Sequence, residues 1–315
     1  MAYKILVADG LSEAGIKLLQ TAGEVTVNPR ITAGELIAAL PQVHALVVRS
    51  RTKVTAKVIE AGANLKVIGR AGVGVDNIDV AAAVAKSITV VNSPLAASIA
   101  VAELTLGMML ALARSISTAD ASMKQGQWDK SAFLGSEVSG KTLGLLGIGR
   151  IGVEVVHRAH AFGMAVLAYD PYLTEQQIRE RGAQPTSFDD LLGQADYVSL
   201  HLPLTAQTRG LIGPAQFDRM KQGARLVCLA RGGAIDEDAL RAALDSGQLA
   251  GAALDVFAEE PPPPGSIATH PKVIATPHIG AQTAEAQIRA GTAIAEEVLA
   301  VLYGREPRFR VLAND

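Results

Sequence analysis

Short apolar runs alternate with segments of helical spacing along the whole chain. Runs at Lys4 (KILVA), Ala45 (ALVVR), Leu65 (LKVIG), Leu143 (LGLLG), Ala165 (AVLAYD), Tyr197 (YVSLHL), Arg225 (RLVCLA) and Lys272 (KVIATP) predict strands. They are nearly continuous in apolar character, so each is expected to be buried on both faces. Between them, Ser12 to Thr21, Ile151 to Phe162 and Asp236 to Leu244 carry the spacing of amphipathic helices. Alternation of this kind predicts an α/β protein whose parallel sheets are covered by helices on both sides.

Two longer patterns divide the chain. Ser98 to about Met123 reads as one helix, apolar round most of its circumference and therefore buried on several sides, between domains or between subunits. A polar connector, QGQWDKSAFLGSEVSG, follows and leads into a new strand. A second long helix, about Ala281 to Tyr303, closes the chain. A length of 315 residues suits about two domains. The expected arrangement is discontinuous: residues 1–98 plus 283–315 form one domain and residues 99–282 the other, with ligands bound in the cleft between them.

Composition narrows the class. An apolar fraction of 49 % supports sizeable cores, and a net charge of −2 argues against a nucleic acid or a membrane as partner. Cys228 is the single cysteine, so an internal disulfide is impossible and a reducing compartment is expected. MAYKILVADG reads as a first strand and not a signal peptide. LTLGMMLALA, the longest helical apolar run, falls short of the ~20 residues that span a bilayer. The expectation is a cytoplasmic protein that holds no metal.

Candidate chemistry begins at Gly147-Ile148-Gly149-Arg150-Ile151-Gly152, a G-x-G-x-x-G that follows the strand TLGLL and opens a helical pattern. The first glycine permits a tight turn, the second lets backbone approach a pyrophosphate, and the third lets helix and strand pack closely. The helix start adds amide donors and positive potential. Asp170 ends the next strand, where a carboxylate holds a ribose 2′-hydroxyl and repels a 2′-phosphate. Pro171 and Tyr172 follow it, with no adjacent cation. NAD is expected over NADP.

The C-terminal third offers acids and bases. His278, in TPHIG after the strand KVIA, sits where open α/β sheets place ligands, and imidazole suits proton transfer near neutral pH. His201 also ends a strand and rivals it on local sequence. Asp255 ends the apolar strand GAALD, and Arg231 ends LVCLA before two glycines. Charge is costly at such places unless it has a partner. Glu260, before Pro261, is biased toward extended backbone and reads locally as a solvated loop acid. Three strands thus deliver Arg231, Asp255 and His278 to the edge that carries the glycine turn. Arginine grips a planar carboxylate through two hydrogen bonds, and a histidine accepts a hydroxyl proton while hydride leaves the same carbon. This set points to NAD-dependent oxidation of a 2-hydroxy acid.

The ordered set GRAGVGVDNID, LGLLGIGRIG, YDPY, LARGGAIDEDAL, GAALDVFAEEP and TPHIGAQTAEAQ resembles the D-isomer-specific 2-hydroxyacid dehydrogenases over nearly the whole chain. The resemblance implies two doubly wound parallel-sheet domains, a Rossmann-like one for the nucleotide and a flavodoxin-like one for the substrate. It implies catalytic roles for Arg231, Glu260 and His278, and so favours His278 over His201. It gives Glu260 the task of bonding His278 and stabilising its protonated form, and Arg231 the substrate carboxylate and C2 oxygen. Backbone groups of Val73 and Gly74 are implied to meet the same carboxylate. His201, Pro203, Ala230, Asp255 and Gly280 join the glycine turn and Asp170 as the cofactor-facing set. A homodimer or homotetramer built around the nucleotide domains is implied as well.

Within the family the likeness is greatest to the branch that oxidises D-3-phosphoglycerate to 3-phosphohydroxypyruvate, the entry to serine synthesis. Arg49-Ser50-Arg51-Thr52-Lys53 follows the strand ALVV, and clustered cations suit a phosphate. That branch carries a similar Arg-Ser-x-Thr element, implied to approach the 3-phosphate, which adds Arg49, Ser50 and Arg51 to the expected substrate site. Lys130 is a weaker candidate for the same phosphate. Cys228 stands where relatives usually have asparagine, and Leu95-Ala96-Ala97-Ser98 replaces an Asn-containing segment. The second change bears on substrate identity more than on reaction type. Two other readings use the same motifs: reduction of glyoxylate, hydroxypyruvate or another 2-oxo acid, and an NAD-sensing binding protein like the C-terminal-binding corepressors. The sequence stops at Asp315, without the serine-binding regulatory domain of longer relatives, so feedback inhibition through such a domain is not expected.

Overall fold

The computed structural model describes residues 2–312. The chain divides into two compact units, one taking the residues up to Ser98 and those from Ala281 onward, the other Ile99–Gly280.

The first unit is built on β1 (Tyr3–Val7), β2 (Gly23–Val27), β3 (Ala45–Val48), β4 (Val67–Arg70) and β5 (Thr89–Asn92). They are parallel, in the order β5-β4-β3-β1-β2, which is the flavodoxin-like doubly wound order. All four β3 residues are buried, as a strand covered on both faces requires. One face packs under Leu36, Leu40, Val58 and Ile59, the other under Leu19 and the helix Ala284–Leu302 through Ile294, Val298 and Leu302. A two-residue strand, Arg310–Val311, adds antiparallel to β5 and closes that edge.

In the second unit, β6 (Thr142–Leu146), β7 (Ala165–Tyr169), β8 (Gln184–Pro185), β9 (Tyr197–Leu200), β10 (Ala224–Cys228), β11 (Leu249–Leu254) and β12 (Val273–Ala275) form one parallel sheet. Its order is β12-β11-β10-β9-β6-β7-β8. The order reverses between β6 and β9, the switch point at which such sheets bind ligands beyond their carboxyl ends. One apolar cluster of its core includes Leu146, Leu191, Val198, Leu226 and Leu254.

One expected element is corrected. Residues 98–123 are not one helix but two, Ser98–Arg114 and Ile116–Lys124, bent by 65° at Ser115, whose φ is +52°. The Ala113 carbonyl accepts the Ser136 amide at 2.9 Å, so the polar connector folds back onto the end of the first helix. Only the first of the two is packed: it buries Ala102, Leu106 and Met109, whereas the second buries nothing and exposes Ile116 and Met123. Apolar spacing runs across the break, which is why periodicity alone joins the two. Among the described residues no single helix is long and apolar enough to cross a membrane.

Candidate active site

Local backbone chemistry shapes the turn after β6. Gly147 has φ +92°, a conformation L side chains rarely adopt, and its amide bonds the Tyr169 carbonyl at 2.8 Å. A Cβ at Gly152 would meet the Gly147 carbonyl oxygen at 2.7 Å, so the helix Arg150–Ala161 starts tight against the strand. A Cβ at Gly149 would meet nothing within 4 Å. Space is therefore left in front of the backbone at the one glycine where a pyrophosphate must approach it, and the first amides of the helix face no intrahelical partner. The turn fits a dinucleotide.

Asp170 lies one residue past β7. Its Oδ2 accepts the Ile148 amide at 3.0 Å and its Oδ1 the Tyr172 amide at 3.0 Å. Two of about four acceptor positions on the carboxylate remain for a ribose hydroxyl. His201, just past β9, is joined at Nε2 to Ser199 Oγ, 2.9 Å away. Its buried Nδ1 has no partner among the described residues, and burial pushes its pKa down from 6.5 to about 4. The ring is thus neutral at physiological pH and does not present a charge. Pro203 and Ala230 offer backbone: the Pro203 carbonyl takes Thr208 Oγ1 at 2.6 Å, and the Ala230 carbonyl takes Arg231 Nη1 at 2.7 Å.

The Arg231 turn leaves β10 under a strict constraint. A Cβ at Gly232 would sit 1.7 Å from the Phe257 carbonyl oxygen, so no side chain fits there. Cys228, fully buried, reaches the Arg231 carbonyl with Sγ at 3.9 Å, and its own carbonyl accepts the Asp255 amide at 3.0 Å. Burial pushes its thiol up to about 11. Cys228 is a small packed side chain that braces the turn.

Asp255, 1 % exposed, organises the histidine loop. Its Oδ1 accepts Thr276 Oγ1 at 2.6 Å and the Ile279 amide at 2.8 Å, and its Oδ2 accepts the Gly280 amide at 2.8 Å. About one acceptor position remains for a donor from outside the chain. The loop so held puts His278 at φ +54°, an uncommon conformation for a non-glycine residue and one that clusters at functional sites. His278 Nδ1 lies 2.8 Å from Glu260 Oε2. Glu260 Oε1 in turn accepts the Phe257 amide at 3.2 Å. A carboxylate accepts only, so Nδ1 carries the proton and Nε2 has a free lone pair. The acid that looked solvated on local sequence is the partner of the histidine.

In the first unit the basic turn is held by Asp9, which sequence reasoning overlooked. It is 4 % exposed and accepts the Arg49 amide at 2.6 Å and Thr52 Oγ1 at 2.8 Å. Arg51, half exposed, is tied to the same acid and to backbone. Its Nε pairs with Asp9 at 3.1 Å, Nη2 bonds the Ala8 carbonyl at 2.8 Å and Nη1 the Ile31 carbonyl at 3.3 Å. All three guanidinium nitrogens thus have a partner in the fold. The Arg49 guanidinium instead donates from Nη2 to Gln282 Oε1, at 3.2 Å. Ser50 is exposed beside it. The Val73 carbonyl is held by Asn92 Nδ2 at 2.7 Å, while the amides of Val73 and Gly74 donate to no backbone carbonyl among the described residues. Asp9 ends an apolar strand just as Asp255 does, so the same signal marks it. Among the described residues no group of three His, Cys, Asp or Glu side chains is arranged to hold a metal.

Comparison with known proteins gives one consistent result. The chain is 53 % identical to a D-3-phosphoglycerate dehydrogenase of Methanocaldococcus jannaschii, over 96 % of this chain and 58 % of that protein. It is 47 % identical to the rat enzyme of the same name, over 96 % of this chain and 57 % of that one. The chain therefore spans little more than half the length of these relatives. Among solved structures, a glyoxylate reductase from Paecilomyes thermophila superposes with a TM-score of 0.89 at 30 % identity, over 100 % of this chain and 99 % of that one. Residues 106–280 match the family model described as the D-isomer specific 2-hydroxyacid dehydrogenase NAD binding domain. With its glycine turn, its strand-end acids and its parallel sheet order, the chain belongs to the D-isomer specific 2-hydroxyacid dehydrogenase family.

Proposed function

We propose that this chain oxidises D-3-phosphoglycerate to 3-phosphohydroxypyruvate with NAD, in the cytoplasm and as a homo-oligomer. The observation that carries the reaction type is the His278–Glu260 pair, 2.8 Å apart, on the sheet edge that also bears the Arg231 and glycine turns. The substrate rests on the activity named for the archaeal and rat relatives and on Arg49.

Nε2 of His278 takes the proton of the C2 hydroxyl as general base. Glu260 holds the ring in the required tautomer and stabilises the imidazolium that forms. Arg231 grips the substrate carboxylate and polarises the C2 oxygen. Amides of Val73 and Gly74 donate to that carboxylate, and Arg49 meets the phosphate. NAD, when bound, supplies the hydride acceptor. The amides from Gly149 to Gly152, with Arg150 at the helix start, would hold its pyrophosphate, and Asp170 would hold its adenosine ribose. His201, Pro203, Ala230, Asp255 and Gly280 complete the lining.

His278→Ala is expected to lower turnover about 10²- to 10⁴-fold, the usual share of general acid–base catalysis. Wild-type turnover in that variant would end the mechanism. A second reading, reduction of glyoxylate or a related 2-oxo acid, is favoured by the likeness to the glyoxylate reductase along both chains and by Leu95, exposed in a segment otherwise of alanine and serine. Steady-state rates with D-3-phosphoglycerate plus NAD, against glyoxylate and hydroxypyruvate plus NADH, separate the two. Rapid reduction of the latter pair with no NADH formed from the first would replace the main proposal.

A further inference from the structure

We infer that Arg181 is a second determinant of cofactor choice: a cation placed to meet the 2′-phosphate of NADP, so that preference for NAD rests on the Asp170 carboxylate alone. The inference depends on the glycine turn being the dinucleotide site.

Arg181 caps the helix Glu175–Glu180, far from the turn in sequence. Its Nη1 donates to the Ile148 carbonyl at 2.6 Å. The amide of the same residue, Ile148, donates to Asp170 Oδ2 at 3.0 Å. A guanidinium and a carboxylate therefore flank one residue of the turn. The Ile148 bond engages one of five guanidinium N–H groups, and no carboxylate pairs with Arg181 among the described residues. The side chain is half-buried, where a charge interacts more strongly than in open water. Arg150, exposed at the start of the next helix, is a second cation on the same turn. A phosphate beside Asp170 is repelled by that carboxylate and attracted by a planar donor fork. Nothing in YDPY, the segment after Asp170, signals this, because the cation arrives from the far end of a helix.

The alternative is that Arg181 only clamps the turn. Arg181→Gln and Arg181→Lys separate the two, since glutamine removes the charge and lysine keeps it without the planar fork. Dissociation constants for NADH and NADPH, from nucleotide fluorescence, give an NADPH-to-NADH affinity ratio for the full chain. Asp170→Ala is expected to raise that ratio about 10-fold or more, and Arg181→Gln added to it to lower the ratio again by about 10-fold. Arg181→Lys, a milder change, lowers it less. An unchanged ratio in both double variants overturns the inference. So does an equal loss of both nucleotides, which would make Arg181 a structural clamp. A wild-type chain that binds neither nucleotide removes the dinucleotide site itself, and this inference with it.

Discussion

Arg49 and Arg51 stand two residues apart in one basic turn, yet their surroundings divide their roles. The Arg51 guanidinium is bound to Asp9 and to two backbone carbonyls, whereas the Arg49 guanidinium donates to Gln282. Arg51→Ala strips a buried carboxylate of its counter-charge and is expected to lower the melting temperature of the protein. Arg49→Ala is expected to raise KM for the phosphorylated substrate more than it lowers kcat or the melting temperature. Equal effects of both variants on KM and on melting would show that the turn acts as a unit. His201 makes a different kind of prediction. Its pKa lies at about 4 in the fold, against an ordinary value of 6.5. Between those values the unfolded chain binds a proton that the folded chain refuses, so stability falls as pH drops through that window. Its contribution is fully present above pH 6.5 and lost below about 4. Urea unfolding at stepped pH should show a shallower slope in His201→Gln. An identical slope would assign the acid sensitivity to other groups.

Turns and helix ends carry most of the constraint among the elements. The Arg231 turn cannot accept a side chain at Gly232, because the Phe257 carbonyl occupies the position of the Cβ. Backbone is on both sides of that contact, so relief requires moving a strand end. Gly232→Ala is expected to destabilise the fold by about 2 kcal/mol or more, in the range of overpacked core sites, and to lower kcat by displacing Arg231. A variant as stable and as active as wild type would mean that the two turns move apart freely. The Ala284–Leu302 helix shows the complementary case of a polar clasp. Glu297 on it is 1 % exposed, pairs with Arg308 Nε at 3.0 Å and accepts the Phe309 amide at 3.1 Å. That clasp holds the last strand on the edge of its sheet. The break at Ser115 belongs to this scale as well. Periodicity describes which face is apolar but not where the helix stops, and the stop is made by a distant amide, that of Ser136.

At the level of the whole molecule, the second unit leaves apolar surface uncovered. Trp128 is 84 % exposed and Leu134 95 %, both on the connector after the bent helix pair, and Ile116 and Met123 are exposed beside it in sequence. Single exposed apolar residues are ordinary, but several in one short segment mark an interaction surface. We expect a homo-oligomer in solution, and expect Trp128→Ser with Leu134→Ser to shift it toward monomer in light scattering after size exclusion. An oligomer unchanged by the pair would move the interface elsewhere. Most of the parallel sheet content was legible from apolar runs, and the two sheet orders agree with the expected flavodoxin-like and Rossmann-like classes. The edge strand Gly23–Val27, whose residues are mostly exposed, gives no apolar run and escaped notice.

What the sequence alone determined is local. Glycines that must take positive φ or leave space, acids at the ends of apolar strands, and the spacing of the glycine turn state their chemistry within a few residues, because backbone sterics and burial act at that range. They identify the dinucleotide turn, the Arg231 turn and the histidine loop. Tertiary structure decided the partners. That Glu260 meets His278, that Arg51 pairs with Asp9, and that Arg181 comes to Ile148 depend on which strand ends and helix ends become neighbours. Those contacts join residues distant in the chain, and hydrogen bonds a few ångströms long are set by the packing that brings them together, which no local pattern records.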